Sequence, residues 1–493
     1  MAEHCGYVVR VEKLRPHSNA DRLQIATFFG NDTCVGLDVA QGEIGIYFPS
    51  DLQLSEEFCD ENHMCHTKAD GTADTGYLER DKRNIKAIRL RGEKSDGIFV
   101  PIAAVAYTGV NLDKLNVGDK IEMLNGHEIC CKYIPKANAS KTVAGGAGKR
   151  VKRRAKRSIA PQFFEHADTE QLAYNLNAFK AGDEIEITLK MHGTSQRTGY
   201  VPVFKGYNDS KWQIFTNKLK TVFGMLGGKS MDEIRFTHGE PIYDWGYVSG
   251  TRRTVLEDFD GGFYGSNEFR KQHHDKFVGK LRKGETVYYE VVGFTHTGAP
   301  IMADGNNKKV GKDFVKQYGE TTTFSYGCAP NGCKDGELMK FATNAAGDKL
   351  MSFTQFPQSD IYVYRMMMTN EDGDVVEYSP DFMRYRCEQM GIKTVPVWDR
   401  FTIPESTCMS GEEDEYGIFT SAGDYVLKEA EHFYDGPDPI GKTHVREGVV
   451  VRILNRPSFT AYKHKNYSFK VLEGIIKEDA SAPDMEEAEE LNE

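Results

Sequence analysis

Residues 181–200 read AGDEIEITLKMHGTSQRTGY, and they alternate apolar and polar side chains before reaching a lysine and a glycine. Ile185, Ile187 and Leu189 share one face of a predicted strand, and Lys190 ends the opposite face. Lys190 is therefore predicted at the rim of a pocket, where Gly193 would let a bulky ligand approach the backbone. If burial or neighbouring cations lowered its pKa, Lys190 could attack a phosphorus or carbonyl centre. Taken alone, the tetrapeptide KMHG at residues 190–193 is explained more simply by a solvated lysine at the end of a strand.

The composition is that of a globular protein. The 493 residues are 39% hydrophobic and 27% charged, which allows two or three domains. No apolar run approaches the roughly 20 residues that cross a bilayer, and the opening MAEHCGYVVRVEKL lacks the plan of a signal peptide. Ten cysteines without a regular framework indicate reduced thiols. We therefore expect a cytoplasmic protein without membrane contact.

The net charge of −11 is unevenly distributed. Residues 478–493 contain eight acidic and no basic side chains, which leaves −3 for residues 1–477. The run GKRVKRRAKR holds seven Lys/Arg between Lys149 and Arg157. Such a run, with Lys152, Arg153 and Arg154 at its centre, is typical either of phosphate contact or of a solvated linker. A nucleic-acid partner is therefore compatible with the negative total.

Changes in composition divide the chain into four predicted segments. Residues 1–133 contain many short strands separated by turns, as in a small β-barrel. Residues 134–160 are a basic Gly/Ala/Lys/Arg linker. Residues 161–476 form a larger second domain, in which 203–245 read as an insertion, and residues 477–493 are a disordered acidic tail.

The second domain carries further charged and aromatic residues on several other predicted strands. They are Arg252 and Arg253 in YVSGTRRTVLED, Glu290 in TVYYEVVG, Tyr362 and Tyr364 in IYVYRMM, Glu447 in REGVVVRIL, and Lys463 and Lys465 in AYKHKNYSFK. Lys463 and Lys465 share one strand face, which is unfavourable unless an anion lies between them. An unpaired Glu447 in an apolar strand would also be costly. Each residue alone could be a rim, core or solvated side chain, but together they indicate one site.

Three other motifs are weaker. Residues 223–230, FGMLGGKS, are one residue too short for a phosphate loop, and we reject that interpretation. The run CDENHMCH, from Cys59 to His66, is too compressed for familiar zinc spacing, although metal binding there stays open. Cys328 and Cys333 form a similarly weak pair.

The order Lys, Arg, Glu, aromatic, Glu, Lys-x-Lys resembles that of the covalent nucleotidyltransferases, and most closely the RNA ligase 2-like family. Lys190-Met191-His192-Gly193 is similar to that family's motif I, and Lys463-x-Lys465-Asn466 to its motif V. VEKLRPHSNADRLQIATF, with residues 89–92 and 95–98, resembles the N-terminal OB-type module of one ligase branch. The resemblance implies an α+β fold, with an OB-like β-barrel before an adenylation domain built on antiparallel sheets.

The resemblance also implies roles for individual residues. Lys190 would attack the α-phosphorus of ATP to form lysyl-AMP, with His192, Lys463 and Lys465 as further catalytic residues. Glu447 would hold Mg²⁺, or Mn²⁺ in its place. The ATP contacts would come from Leu189, Lys190, Arg252, Arg253, Glu290, Tyr364 (rather than Tyr362), Glu447, Lys463 and Lys465. RNA would be contacted by Arg252, Arg253, Lys152, Arg153 and Arg154. Ser195 stands where close relatives can have Asn.

The implied function is joining of RNA 3′-hydroxyl and 5′-phosphate ends by a monomeric, ATP-dependent RNA ligase. A nicked duplex, a hairpin break and free single strands all stay open as substrates, as does a DNA strand on the 5′-phosphate side. The alternatives are a DNA ligase, a GTP-using capping enzyme, and a non-catalytic RNA-binding protein on a ligase scaffold. No further domain is expected after motif V, so the barrel and the basic linker would dock the RNA.

Overall fold

The computed structural model describes residues 4–133, 159–228, 234–256, 259, 267–295, 301–302, 305–322, 359–405, 421–440 and 444–478. Its mixture of helices with mainly antiparallel sheets confirms the predicted α+β class. Lys152, Arg153, Arg154, Cys328, Cys333 and residues 479–493 of the predicted tail lie outside the described residues. None of the described helices is long and apolar enough to cross a bilayer.

Residues 4–133 form short strands, one α-helix and two 3₁₀-helices, Ile102–Thr108 and Leu112–Lys114. The strands and the α-helix are β1 Gly6–Arg10, β2 Leu14–Pro16, β3 Leu23–Phe28, β4 Asn31–Gly36, β5 Ile44–Phe48, β6 Leu52–Leu54, α1 Glu56–Glu61, β7 Ala87–Leu90, β8 Glu93–Asp96, β9 Ile98–Pro101, β10 Lys120–Ile121, β11 Met123–Leu124, β12 His127–Glu128 and β13 Cys130–Lys132. The Ser55 side chain accepts a hydrogen bond from the Phe58 amide at the N-terminus of α1, which satisfies a donor that the first helical turn leaves free.

The N-terminal strands pair as separate sheets. The largest has the order β10-β1-β5-β9, a second has β2-β3-β4, and β7-β8, β11-β12 and β6-β13 are two-stranded. Within residues 4–133 these pairings do not close into one ring, so the predicted barrel stays a prediction. Cys59 and Cys65 are buried in the apolar core beside Phe58, and no group of three or more His, Cys, Asp or Glu that could hold a metal ion occurs in the described parts of the chain.

The elements from residue 159 onward include the longest strands and helices of the structure. They are β14 Glu170–Gln171, β15 Glu184–Leu189, β16 Thr194–Tyr207, α2 Lys211–Leu226, β17 Pro241–Gly250, β18 Val255–Leu256, α3 Glu268–Asp275, β19 Glu285–Gly293, β20 Gly305–Asn306, α4 Lys312–Tyr318, β21 Thr321–Thr322, β22 Ser359–Thr369, β23 Val375–Glu377, α5 Pro380–Met390, β24 Val397–Thr402, α6 Ala422–Tyr434, β25 Gly448–Ile453, β26 Thr460–Lys465 and α7 Tyr467–Glu478. Helix α7 thus extends two residues into the predicted tail.

Two sheets position the site. One has the order β14-β26-β25-β15-β24, in which β14 and β26 are parallel, and the other has the antiparallel order β18-β17-β16-β19-β22-β23. All nine residues of β19 are buried, because residues of α3, α5 and α7 join its apolar core. The chain passes from the first sheet to the second at residues 190–193, between β15 and β16. The predicted strand before Lys190 is confirmed by β15.

Gly193 is needed at this crossing because the neighbouring strand β19 comes very close to its backbone. A Cβ added to Gly193 would lie 2.3 Å from the Val291 carbonyl oxygen and 3.0 Å from Cγ of Glu290. Both neighbours belong to β19, so any larger residue would push the crossing away from that strand. The adjacent strand thus makes one close approach at Gly193, and because Gly193 also lines the cavity, the approach of a ligand there stays a prediction.

The N-terminal sheets pack against the end of the chain. The Lys470 ammonium on α7 lies 2.7 Å from Oδ2 of Asp96, whose side chain is 3% exposed. The Tyr7 and Tyr174 rings pack with their centroids 4.9 Å apart. Because α7 directly follows β26, and Tyr174 lies shortly after β14, which pairs with β26, these contacts tie residues 4–133 to the strand that carries Lys463 and Lys465.

Candidate active site

A cavity of about 180 Å³ lies where the two sheets meet. Its ionised lining comprises six Lys and Arg side chains and four Glu: Lys190, Arg252, Arg384, Arg452, Lys463, Lys465, Glu186, Glu290, Glu447 and Glu473. Met302, Met383, Val395 and Phe459 supply apolar walls. An excess of cations beside apolar walls suits a ligand that has both an anionic and an apolar part.

Glu447 is the centre of the charged cluster. Its side chain is 4% exposed, and Nζ of Lys190 lies 2.6 Å from its Oε1. Nδ1 of His192 lies 3.4 Å from Oε2, and Nζ of Lys465 lies 3.8 Å from Oε1. Burial raises the pKa of Glu447, but Lys190, His192 and Lys465 outweigh it and lower the pKa to about 2. Glu447 precedes β25 by one residue, so its predicted place within the strand is wrong.

Lys463 and Lys465 both line the cavity from β26, at positions two apart as predicted. Nζ of Lys465 lies 2.7 and 2.8 Å from the two carboxylate oxygens of Glu473 on α7. For Lys463, burial followed by the charges of Lys465, Lys190 and Arg252 lowers the pKa to about 8, which Glu473 only partly opposes. The Glu473 carboxylate thus offsets the positive charge of Lys465. The repulsion between the two lysines still contributes to the lowered pKa of Lys463.

Arg252 and Arg253 lie in a tight turn between β17 and β18, and not on a strand as predicted. The Thr251 amide donates to the Thr254 carbonyl at 2.9 Å across this turn. Asp168 accepts from Nη2 of Arg252 at 2.5 Å and of Arg253 at 3.4 Å. Burial raises the pKa of Asp168, but Arg252 and then Arg253 outweigh it and lower the pKa. Arg252 reaches the cavity, whereas Arg253 is not part of its lining.

Glu290 and Ser195 face each other across β19 and β16. The Ser195 hydroxyl donates to Oε2 of Glu290 at 3.4 Å. Oγ1 of Thr194 and the Ser195 carbonyl accept from the fully buried Arg270 at 2.7 and 3.0 Å. Glu290 therefore lies on a buried strand, and the hydrogen bond from Arg270 fixes the backbone of Ser195 beside it.

The two candidate tyrosines occupy different places on β22. Glu290 pairs with Tyr362, but the register slips between Tyr288 and Tyr289, whose partners are Arg365 and Val363, so Tyr364 is the extra residue of a bulge in β22. A bulge of this kind re-aims a side chain. Tyr364 lines the cavity, with its ring centroid 5.2 Å from that of His166. Tyr362 is instead a member of the buried cluster that contains Leu189 and Met191.

Sequence reasoning missed several members of the site. Nη2 of Arg384 on α5 lies 2.7 Å from the buried Glu186, and both line the cavity with Arg452 and Glu473. The alternation of side chains along β15 places Glu186 on the same face as Lys190. This was the one feature of the sequence that could have indicated Glu186 as a member of the site. Asp168, Arg270 and Arg384 lie far from the motifs in sequence, so nothing in the pattern pointed to them.

Comparison with known proteins supports the architecture. No protein-family model matches the chain, and no curated protein matches it in sequence. A Naegleria gruberi RNA ligase mutant solved with ATP and Mn is 14% identical, covers 95% of this chain and 98% of its own, and has a TM-score of 0.51. The chain has the RNA ligase fold. A second mutant of the N. gruberi enzyme, in its apo form, is 13% identical with the same coverage and a TM-score of 0.50.

The RNA ligase fold is shared along almost the whole chain. Because the unmatched part is only 5% of the residues, most of the N-terminal sheets belong to the matched region. The match therefore extends over both the N-terminal sheets and the longer sheets that follow them.

Proposed function

We propose that the protein is an ATP-dependent RNA ligase, which joins RNA 3′-hydroxyl and 5′-phosphate ends through lysyl-AMP and RNA-adenylate intermediates. The observation that carries the proposal is the position of Lys190. It lines the same cavity as Arg252, Lys463 and Lys465 and contacts a buried carboxylate. The fold is that of an N. gruberi RNA ligase solved with ATP and Mn.

In the first step Nζ of Lys190 attacks the α-phosphorus of ATP. The N–P bond forms, the bond from the α-phosphorus to the bridging oxygen breaks, and pyrophosphate leaves with its electron pair. Lys190 must leave Glu447 and lose a proton before its nitrogen can attack. Lys463 and Lys465 stabilise the negative charge that develops on the α-phosphate oxygens, which is where fixed cations accelerate phosphoryl transfer most.

The remaining lining suits the nucleoside. Glu290 accepts hydrogen bonds from the ribose hydroxyls, and the Tyr364 ring stacks on adenine. Leu189, which also lines the cavity, contributes an apolar contact to the nucleotide. Arg252, oriented by Asp168, contacts the ribose or an RNA phosphate through its planar fork. Arg253, with 45% of its side chain exposed, is better placed for RNA than for ATP.

Glu447 is the proposed metal ligand. Within the described residues it belongs to no group of three or more His, Cys, Asp or Glu. This fits Mg²⁺ or Mn²⁺ bound with a nucleotide, because Mg²⁺ usually takes one or two carboxylates together with substrate phosphates and water. When bound, the ion would neutralise phosphate charge. Glu447 stays ionised for this purpose, since its pKa is lowered to about 2.

In the second step a 5′-phosphate oxygen of RNA attacks the AMP phosphorus and Lys190 leaves. In the third, the RNA 3′-hydroxyl attacks the 5′-phosphorus, the phosphodiester forms and AMP leaves. We propose that residues 1–133 are an OB-like module that holds the RNA, with Lys152, Arg153 and Arg154 of the linker. The contact of Lys470 with Asp96 supports this, because it keeps these residues next to the strand of Lys463 and Lys465.

The test is sealing of a nicked RNA duplex whose 5′-phosphate strand is labelled. We expect joining with ATP and Mg²⁺ that is lost in Lys190→Ala and retained in Lys180→Ala, an exposed lysine ten residues away. Substituting DNA on either side of the nick, or single strands for the duplex, defines the substrate. Sealing of all-DNA nicks in preference to RNA, or use of GTP in place of ATP, would contradict the proposal.

A further inference from the structure

Helix α2 occupies the insertion expected within residues 203–245. It connects β16 to β17 at the end of that hairpin farthest from the cavity. Ser195 lines the cavity, and Tyr207 ends the strand twelve residues later. At roughly 3.3 Å per residue the two lie about 40 Å apart along the strand. The helix is therefore too remote to contact a nucleotide bound in the cavity.

The helix is attached to its own chain by its polar side. The Asn217 side chain donates to the Thr237 carbonyl at 2.8 Å and accepts from the Thr237 amide at 3.0 Å. Nζ of Lys220 donates to Oγ1 of Thr237 at 2.7 Å. A Cβ added to Gly224 would lie 2.5 Å from Cδ1 of Ile234. The inward face of α2 is thus made of an amide, a lysine and a glycine.

The opposite face is apolar and exposed, which reverses the usual amphipathic arrangement. The exposed fractions are 71% for Trp212, 52% for Phe215, 40% for Leu219, 53% for Val222 and 79% for Leu226. These five residues are spaced 3, 4, 3 and 4 apart. That is the heptad spacing with which one helix packs against another. We call this face the α2 stripe.

We propose that the α2 stripe is a dimer interface that binds the same stripe of a second copy of this chain. The rings of Trp212, Phe215 and Phe223 alone expose roughly 400 Å², at 150–250 Å² per buried ring. The exposed Leu219, Val222, Met225 and Leu226 extend the same surface. A stable interface needs about 800 Å² per partner, whereas the largest apolar patch of a monomer is about 300–600 Å². A twofold dimer presents the same stripe from both copies, so the two heptad repeats of α2 supply both halves of the interface.

Two other occupants fit the stripe less well. Binding to an anionic bilayer depends on cations that flank the apolar face, and of the three lysines of α2, Lys220 is already engaged with Thr237. Single-stranded RNA stacks on aromatic rings, but Leu219, Val222 and Leu226 offer no ring to a base. The dimer replaces the monomer expected from the sequence, and it does not depend on the proposed ligase chemistry.

The test is the mass of the full chain by light scattering across a hundredfold range of concentration. We compare wild type with the α2 variant Phe215→Glu/Leu219→Glu. The charge-matched control is Leu37→Glu/Val376→Glu, because Leu37 and Val376 are 59% and 64% exposed and lie outside α2. We expect wild type and control to reach the dimer mass. The α2 variant should stay monomeric, with a dissociation constant raised at least about 30-fold, since two buried hot-spot side chains are lost. A single cooperative unfolding transition in urea shows that the α2 variant is folded, at whatever midpoint the loss of the dimer leaves it.

Three results would overturn the proposal. The first is a wild-type chain that stays monomeric at every concentration. The second is a dimer that persists in the α2 variant or is equally lost in the control. The third is wild-type binding to phosphatidylserine vesicles or to single-stranded RNA that the α2 variant loses while the mass stays monomeric, which would assign the stripe to that ligand instead.

Discussion

Replacing Lys463 by Met should make the protein more stable and less active. Lys463 lines the cavity from β26. Burial, reinforced by Lys465, Lys190 and Arg252, lowers its pKa from 10.5 to about 8. Folding therefore penalises the charged form of this side chain. Met keeps the length and apolar stem of the lysine but carries no charge, so it removes the penalty together with the proposed contact to the α-phosphate.

The magnitude follows from the shift in pKa. A shift from 10.5 to about 8 corresponds to about 3 kcal/mol at 1.36 kcal/mol per pH unit. Because the folded pKa is the lower one, the full penalty applies below about pH 8. It fades as pH rises from 8 to 10.5, where the unfolded chain also loses the proton. The free energy of unfolding of Lys463→Met should therefore exceed that of wild type by up to about 3 kcal/mol at pH 7, and the gain should shrink toward pH 10.5.

Urea unfolding of both proteins at pH 7, 8.5 and 10 measures this difference. Lys271→Met is the control, because its side chain is 46% exposed and surface changes usually stay within about 0.5 kcal/mol. Formation of the AMP adduct should fall by about a hundredfold or more, the loss typical of one fixed charge-stabilising donor. A Lys463→Met protein that is less stable than wild type at pH 7, or whose difference does not depend on pH, would refute the reasoning.

Two further substitutions test the ion pairs. Glu447→Gln removes the carboxylate between Lys190 and Lys465. Because the pKa of Glu447 is lowered from 4.5 to about 2, the free energy of unfolding of wild type should exceed that of the variant by about 3 kcal/mol at pH 7. The urea midpoints of the two proteins should converge as pH falls from 4.5 toward 2. The same variant should form no AMP adduct, and an undiminished adduct would remove Glu447 from metal binding. Asp96→Asn removes the buried carboxylate that pairs with the Lys470 ammonium and should lower the free energy of unfolding by about 3 kcal/mol. Asp372→Asn, in an exposed turn, is the control. Equal stability of these two variants would mean that the N-terminal sheets are held by their apolar contacts alone.

The elements of the site that sequence predicted are those fixed by short-range periodicity. A period of two placed Lys190 at the end of β15 and set Lys463 and Lys465 two apart on β26. The apolar run around Glu290 was long enough to define β19. Short-range patterns therefore predicted β15, β19 and β26 correctly, although Arg252, Arg253 and Glu447 lie outside the strands on which they were placed.

The parts that sequence could not supply depend on contacts between distant segments. Asp168 meets Arg252 from 84 residues away, and Arg384 meets Glu186 from 198 residues away. The bulge at Tyr364 depends on pairing with β19. Gly193 is required by the backbone of that same strand. None of these features leaves a period in the sequence, because each is set by which strands become neighbours.

The central claim is that Lys190 becomes covalently linked to AMP. The most direct measurement is incubation with α-labelled ATP or GTP and Mg²⁺, denaturing electrophoresis, and mass spectrometry of the labelled peptide. We predict a labelled band with ATP, an AMP adduct on Lys190, no band in Lys190→Ala and an undiminished band in Lys180→Ala. Label that comes only from GTP, label that persists in Lys190→Ala, or no label in folded protein that is initially free of AMP would contradict the account.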